Sequence, residues 1–309
     1  MLEIDFYSKL VDHSQKIGND LTLVQGAGGN TSFKNEEFLW VKASGTKLSH
    51  AKNKDIFVKL DLEKAKKYSF FDDPKLIYNA AVKPLNENLR PSIETAMHSI
   101  INAPIVTHVH SLGSIGASIS KNFELEIERV SEVTNMAWIP YMRPGAELAN
   151  EISKTITPLN NSLLLGNHGM TVWGNTFEEV ETLISNIENV WRSYHRIPDK
   201  HFQKKTISKN WAKILSGGIL TPDEAVFLGR EPFKLISEID SNNARIIIYP
   251  DGETIFDINL TEDSRNIAKV LMELDGWVDD CETINYLGDD AVESILNWDM
   301  EKFRQELNK

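Results

Sequence analysis

The sequence predicts an α/β protein, and three observations lead there. Short β-branched or apolar runs at 38–42, 105–107 and 163–165 have the composition of buried strands. Segments with apolar residues at helical spacing lie between and around them, most clearly at 2–18 and 176–194. Glycine-bearing turns at 26–29 and 166–169 punctuate the runs.

Composition sets limits on function. At 309 residues the chain can form one large domain or two smaller ones. Hydrophobic residues make up 41% and charged residues 25%, the balance of an ordinary globular protein. A net charge of -12 argues against non-specific nucleic-acid binding and against an anionic membrane surface. The single cysteine, Cys281, precludes an internal disulfide and a multi-cysteine zinc site, so a metal would rely on His and carboxylate ligands. Residues 1–16 lack a basic stretch followed by an apolar core, and no apolar run approaches the roughly 20 residues of a spanning helix. A cytoplasmic protein is the expectation.

The elements follow in chain order. Residues 2–18 place Ile4, Phe6, Leu10, Val11 and Ile17 on a helical stripe. Residues 21–24 read as a short strand, and 38–42 as another, closed by Ser44-Gly45-Thr46. The glycines between them are not a dinucleotide fingerprint, because the sixth position of G-x-G-x-x-G is Thr31 and a strand follows. Two roles remain open for this stretch. Residues 26–29 can present backbone N–H groups to a small phosphate or carboxylate, aided by Asn30, Lys34, Ser44 and Gly45. They can equally be a hairpin turn whose glycines supply positive φ.

Residues 61–67 read as helical or turn-like, and 92–102 as a helix with Ser92 as N-cap and Glu94 in its first turn. A helix of small residues over 112–119, a loop over 139–145 and a helix over 146–156 come next. The strongest helix spans 176–194, with Thr176 as cap and Val180, Leu183, Ile184, Ile187, Val190, Trp191 and Tyr194 as its core stripe. Composition changes after His201. From there the sequence predicts a helix starting at Pro222, a β-hairpin over 245–256 on Pro250-Asp251-Gly252, and helices over 260–274 and 289–307.

Chemistry concentrates in residues 90–111. His108 and His110 end a strand and point to one face. Two imidazoles are an incomplete metal site, since zinc takes three or four ligands. His168, at the end of the 163–165 run and beside Gly169, is the candidate third ligand. Three histidines with an open position make the catalytic rather than the structural arrangement. Against this stands the commoner role of a buried histidine as a hydrogen-bonded core residue. Glu94 and His98 share one helix face at i and i+4. Glu94 can be a simple first-turn acid, and spacing favours a structural role for His98.

Four blocks occur in order: GAGGNTSFK (26–34), VKASGTKLS (41–49), RPSIETAMH…HVHS (90–111) and LLLGNHGMTVWG (163–174). Together they resemble the class II aldolase/adducin family over roughly residues 5–200. The resemblance implies a three-layer α/β/α sandwich on a largely antiparallel sheet, with residues 1–203 as the catalytic domain and 204–309 as a C-terminal extension of helices and a hairpin. It also implies a homotetramer with sites at subunit interfaces. His108, His110 and His168 match the family's ligands for zinc or another divalent metal, and Glu94 its general base. Asn30, Lys34, Ser44, Gly45 and Ser92 fall where members bind the substrate's phosphate. The tail is similar to that of the aldolase half of bifunctional rhamnulose-phosphate aldolase/alcohol dehydrogenases, without their dehydrogenase half.

The expected function is therefore a zinc-dependent lyase. It would cleave or form a C–C bond in a small sugar or keto-sugar, phosphorylated, through a metal-stabilised enediolate. An epimerase, dehydratase or decarboxylase with the same metal site is the alternative, and a non-catalytic adducin-like module a more remote one. Two departures bear on this. Ile93 stands where some aldolases have a second phosphate-holding serine, and the family's acid tyrosine has no clear match. Glu128 and Glu132 occupy that region, with Glu132 the candidate proton donor, while Tyr141 reads as structural.

Overall fold

The computed structural model describes residues 3–82, 89–197, 202, 205–235, 245–278, 281–299 and 301–302. Seven strands form the main sheet: β1 (Asn30–Lys34), β2 (Phe38–Lys42), β3 (Phe57–Asp61), β4 (Ile105–Val109), β5 (Met136–Ile139), β6 (Ser162–Leu165) and β7 (Gly169–Gly174). Their order is β3-β2-β1-β4-β7-β6-β5. Every pairing is antiparallel except the parallel β5–β6 edge. Around the sheet lie α1 (Glu3–Gly18), α2 (Leu62–Tyr68), α3 (Pro74–Tyr78), α4 (Thr95–Ile100), α5 (Leu112–Ser118), α6 (Phe123–Arg129), α7 (Ala146–Thr155) and α8 (Phe177–Tyr194).

Alternation along the strands creates the three layers. In β4, Ile105 and Val109 join a core with Leu10 of α1 and Ile184 of α8, whereas Val106 joins Met97 of α4 and Ile152 of α7. The same split separates Met170 and Val172 from Trp173 in β7. Side chains on one parity therefore face α1 and α8, and those on the other face α4 and α7. The expected α/β/α architecture on a mainly antiparallel sheet is the one observed.

Both sheet faces carry buried polar pairs near the middle, His13–Thr107 and Ser14–Thr31 on the α1 side among them. Asn30 pairs in register with His108, and His108 with Thr171. Ser32 and His108 are buried on the α4 side: Ser32 Oγ lies 2.7 Å from His98 Nδ1, and His108 Nε2 lies 3.4 Å from the Glu94 carboxylate. His98 is a buried partner of Ser32, as its spacing suggested.

Beyond the sheet, α9 (Lys209–Ser216), α10 (Pro222–Leu228), α11 (Glu262–Glu273) and α12 (Asp289–Asn297) flank a second sheet. Its strands, β8 (Phe233–Leu235), β9 (Ile246–Ile248) and β10 (Thr254–Phe256), run in the order β10-β9-β8. The hairpin on Pro250-Asp251-Gly252 is present as β9–β10, with Gly252 at φ 88 in the left-handed region. Ile214, Leu271 and Ile295 share one hydrophobic cluster with Leu10, Val172 and Ile187, so the extension packs into the main core. Among the described residues no helix is long and apolar enough to cross a membrane.

Three sequence expectations are corrected. Residues 21–24 form turns rather than a strand, with Leu23 and Val24 N–H donating to Asp20 O. β1 is already flanked by β2 and β4, so these residues find no free edge there to pair with. The helix expected over 92–102 is shorter: Glu94 is its N-cap, Thr95 N–H closes a turn onto Ser92 O, and Ile101 is extended. The helix expected over 289–307 ends at Asn297, where Trp298 is extended, and residues 303–309 lie outside the described ones.

Glu224 of α10 gives a stability prediction. Its Oε2 accepts from Leu220 N–H at 2.7 Å while its own N–H donates to Thr221 Oγ1, a capping box folded into the core. Burial pushes its pKa up from 4.5 to about 8, against the lowering effect of the two backbone bonds. A raised folded pKa means the contribution is complete below the unfolded value and is lost as pH rises through about 8. Glu224→Gln should therefore gain on the parent by about 2 kcal/mol between about pH 6 and pH 9 in denaturant titrations. Parallel pH profiles for the two proteins would show that this carboxyl stays outside the titration.

Candidate metal centre

Glu94, His108, His110 and His168 come together from three separate segments. Glu94 caps α4, His108 lies within β4, His110 is one residue past that strand, and His168 sits in the β6–β7 turn. One ligand atom from each lies within 4.8 Å of all the others. His108 Nε2 is 3.0 Å from His110 Nε2 and 3.4 Å from Glu94 Oε1, while His168 Nε2 is 3.6 Å from that same oxygen. Donors on a tetrahedron with bonds of about 2.0–2.1 Å stand about 3.3 Å apart, so this spacing suits one small cation.

The hydrogen-bond partners assign the protons. His108 Nδ1 lies 3.0 Å from the carbonyl of Met170, which only accepts, so Nδ1 carries the proton and Nε2 a lone pair. Thr171 Oγ1 also lies 3.0 Å from it. His110 Nδ1 donates to a carboxylate oxygen of Asp223 at 2.6 Å, which fixes the same tautomer. With both rings neutral, as metal binding requires, two buried lone pairs face each other at 3.0 Å. Such a pair repels unless a cation lies there, and this is the observation by which the residues fit a metal.

Electrostatics agree. Burial holds the His108 imidazole down at about 4 and drives that of His168 well below the ordinary histidine range, so both are neutral near pH 7 as ligands must be. Burial raises Glu94, while His108, His168, His110 and His98 in their charged forms lower it, to about 2. Asn30 Nδ2 donates to Glu94 Oε2 at 3.4 Å, leaving Oε1 toward the histidines.

The turn that carries His168 has unusual backbone. Asn167 has φ 55, and its Nδ2 donates to Leu220 O at 2.9 Å and to Asn285 O at 2.6 Å. Gly169 has φ 150, and a Cβ there would stand 2.4 Å from Val109 O.

The cluster lies at the wall of a cleft lined among others by Gly28, Lys42, Ser44, Gly45, Ser92 and Tyr141. Ser44, Gly45 and Ser92 are therefore near the metal ligands, and Asn30 touches Glu94. Lys34 is not in this cleft. It lies four residues along β1 from Asn30, about 13 Å at strand spacing, and its buried amine donates to His98 O at 2.6 Å. Glu132 is exposed in the turn before β5 and does not line the cleft. The glycine stretch lines the cleft and is a turn, closed by Gly28 N–H onto Gln25 O with Gly26 and Gly29 at positive φ, but not a hairpin, since a helix and turns rather than a strand precede it.

Sequence reasoning missed several residues. Lys42 lines the cleft, and its amine ties the two loops together by donating to Ala27 O and Thr46 O. Glu301, Trp298 and Asp223 reach the same cleft from the C-terminal region. Nothing in their local sequence marked them, since each depends on how distant segments pack.

A half-buried carboxylate and three buried imidazoles on such a sheet define an α/β protein with a centre able to hold a divalent metal. Residues 8–195 match the model described as Class II Aldolase and Adducin N-terminal domain, and the chain belongs to that family. It is 30% identical over 184 residues to the uncharacterized oxidoreductase YuxG of Bacillus subtilis, covering 55% of this chain and 27% of that one. It is 32% identical over 145 residues to a methylthioribulose-1-phosphate dehydratase of Geobacillus kaustophilus, covering 39% of this chain and 66% of the relative. The chain thus spans 27% and 66% of these relatives' own lengths. The N-terminal class II aldolase domain of a conserved Thermoplasma acidophilum protein shares the fold, with a TM-score of 0.51, 24% identity, and coverage of 60% of this chain and 92% of that one.

Proposed function

We propose that this chain is a zinc-dependent lyase acting on a small phosphorylated sugar or keto-sugar, with aldol cleavage or formation of a C–C bond as its reaction. The observation that carries this is the convergence of His108, His110, His168 and the Glu94 carboxylate, whose ligand atoms all lie within 4.8 Å of one another. A metal ion held by His108, His110 and His168 supplies Lewis-acid stabilisation where negative charge develops on the substrate's oxygens. Glu94, ionised and oriented by Asn30, moves the proton at Oε1. Backbone N–H groups of Ala27 and Gly29, with Ser44, Gly45, Ser92 and the Lys42 amine, offer donors for a phosphate, the Gly28 N–H being taken by Gln25 O. Ile93, Ile295 and Trp298 line the same cleft and exclude water from the reacting atoms. Tyr141 also lines it. Burial, then Glu301 and Glu147, raise its pKa far above neutral, so its hydroxyl keeps a proton that it can return. A cytoplasmic homotetramer is part of this proposal.

A dehydratase is the second reading, favoured by identity to a methylthioribulose-1-phosphate dehydratase. Glu94 would then take a carbon-bound proton next to the substrate's carbonyl, and the hydroxyl on the neighbouring carbon would leave with a proton as water, in place of C–C bond breaking. The purified protein should hold one divalent ion per chain and lose turnover on a panel of ketose phosphates once that ion is chelated. Product identification separates carbon–carbon cleavage from loss of water. Full turnover in protein free of divalent metal would end the proposal.

A further inference from the structure

We infer that Asp223, which lies outside the family domain, is a positioning residue that completes the metal centre, so the C-terminal region is part of the site. This rests on the metal-dependent reading above. Asp223 is 6% exposed and its Oδ2 accepts from His110 Nδ1–H at 2.6 Å. The contact spans 113 residues of sequence, and the family match ends at residue 195. A carboxylate behind a ligating imidazole fixes its tautomer, aims its free nitrogen and raises its basicity. The pair is sealed by backbone: a Cβ on Gly28 would stand 3.0 Å from both Asp223 Oδ2 and His110 Nδ1, so a larger residue there would push them apart.

A second contact points the same way. Asn167, next to His168 and in the left-handed region, is clasped by the carbonyls of Leu220 and Asn285. Asn285 Nδ2 donates back to Asn167 Oδ1 at 3.2 Å. Leu220 precedes α10 and Asp223 lies in its first turn, so one short segment reaches His110 and the residue before His168. His108 differs, because its Nδ1 partners, Met170 and Thr171, come from β7 of the main sheet. The main sheet holds the His108 imidazole, and the C-terminal region braces the His110 imidazole and the turn that carries His168.

The test titrates full-length protein with Zn2+ against a chromophoric chelator, and with Co2+ followed by its visible absorption. Asp223→Ala should bind Zn2+ about 10–100-fold more weakly than the parent. Asp223→Asn keeps the acceptor oxygen and the shape but not the charge, so it should fall between the two, with a changed Co2+ spectrum. Glu224→Gln alters the adjacent carboxyl, which is in the same helix turn but has no contact with a histidine, and should bind as the parent does. If the parent takes up no ion, the metal reading itself fails. If the parent binds and both Asp223 variants bind equally well with unchanged spectra, the positioning role is overturned. Asp223→Asn is nearly isosteric, so it decides the matter should Asp223→Ala fold poorly.

Discussion

His108→Ala is expected to lower turnover at least about 10³-fold and to abolish stoichiometric metal binding. A metal ion's stabilisation of developing charge is worth several kcal/mol, and each about 1.4 kcal/mol is tenfold in rate. His108 is the central donor, since its Nε2 is close to both His110 Nε2 and Glu94 Oε1. The variant should not simply be unfolded. Its imidazole hydrogen bonds to Met170 and Thr171 would be lost, at a cost of about 1–3 kcal/mol. The repulsion between two buried lone pairs would be lost with them, which offsets part of that cost in metal-free buffer. Zn2+ at 100 times its dissociation constant should raise the parent's stability by about 2.7 kcal/mol and leave the variant's unchanged. Thermal unfolding with and without Zn2+, beside steady-state turnover, measures both effects. An active variant with parental metal content would remove His108 from the centre.

Acid should empty the site later than histidine chemistry alone suggests. Burial keeps the His108 imidazole neutral down to about 4 and lowers that of His168 as well. Protons compete with a metal for these nitrogens only once they can bind them, so both stay available to an ion below the pH at which a free imidazole charges.

The parts of the site that follow from local rules were legible in the sequence. A strand alternates its side chains, so His108 and His110 had to share a side, and β4 obeys this. The cap at Thr176 and the stripe after it specified α8 to within a residue at its start. The parts set by chain crossings were not legible. Asp223 reads locally as an ordinary acid in a helix's first turn, where the dipole favours one. Only the folding of α10 against Gly28 turns it into a partner of His110. Lys34 and Lys42 each end a strand, yet Lys34 meets the end of α4 while Lys42 reaches the glycine loop. No spacing distinguishes them, because the difference lies in what packs beside each strand end. Residues 21–24 have strand composition but no free neighbour at β1.

Glu94→Gln is the second large effect, expected to lower kcat by about 10²–10⁴-fold while leaving much of the metal in place. The amide keeps the size of the carboxyl and can still meet Asn30, so the cap of α4 and the cleft should persist. What disappears is a base. In the parent a cation held by the three imidazoles would keep the neighbouring carboxyl ionised, so at neutral pH it is ready to accept a proton. Glutamine cannot accept one. The loss should therefore appear in exchange of the substrate's carbon-bound hydrogen with solvent deuterium, slowed in step with kcat. A ligand role for the same carboxylate predicts a different pattern, in which the variant loses metal and regains its rate at saturating Zn2+. Measuring kcat, deuterium wash-in and bound metal at saturating Zn2+ separates the two. Parental kcat under that condition would place proton transfer on another group, and Tyr141 is the hydroxyl in the same cleft to substitute next.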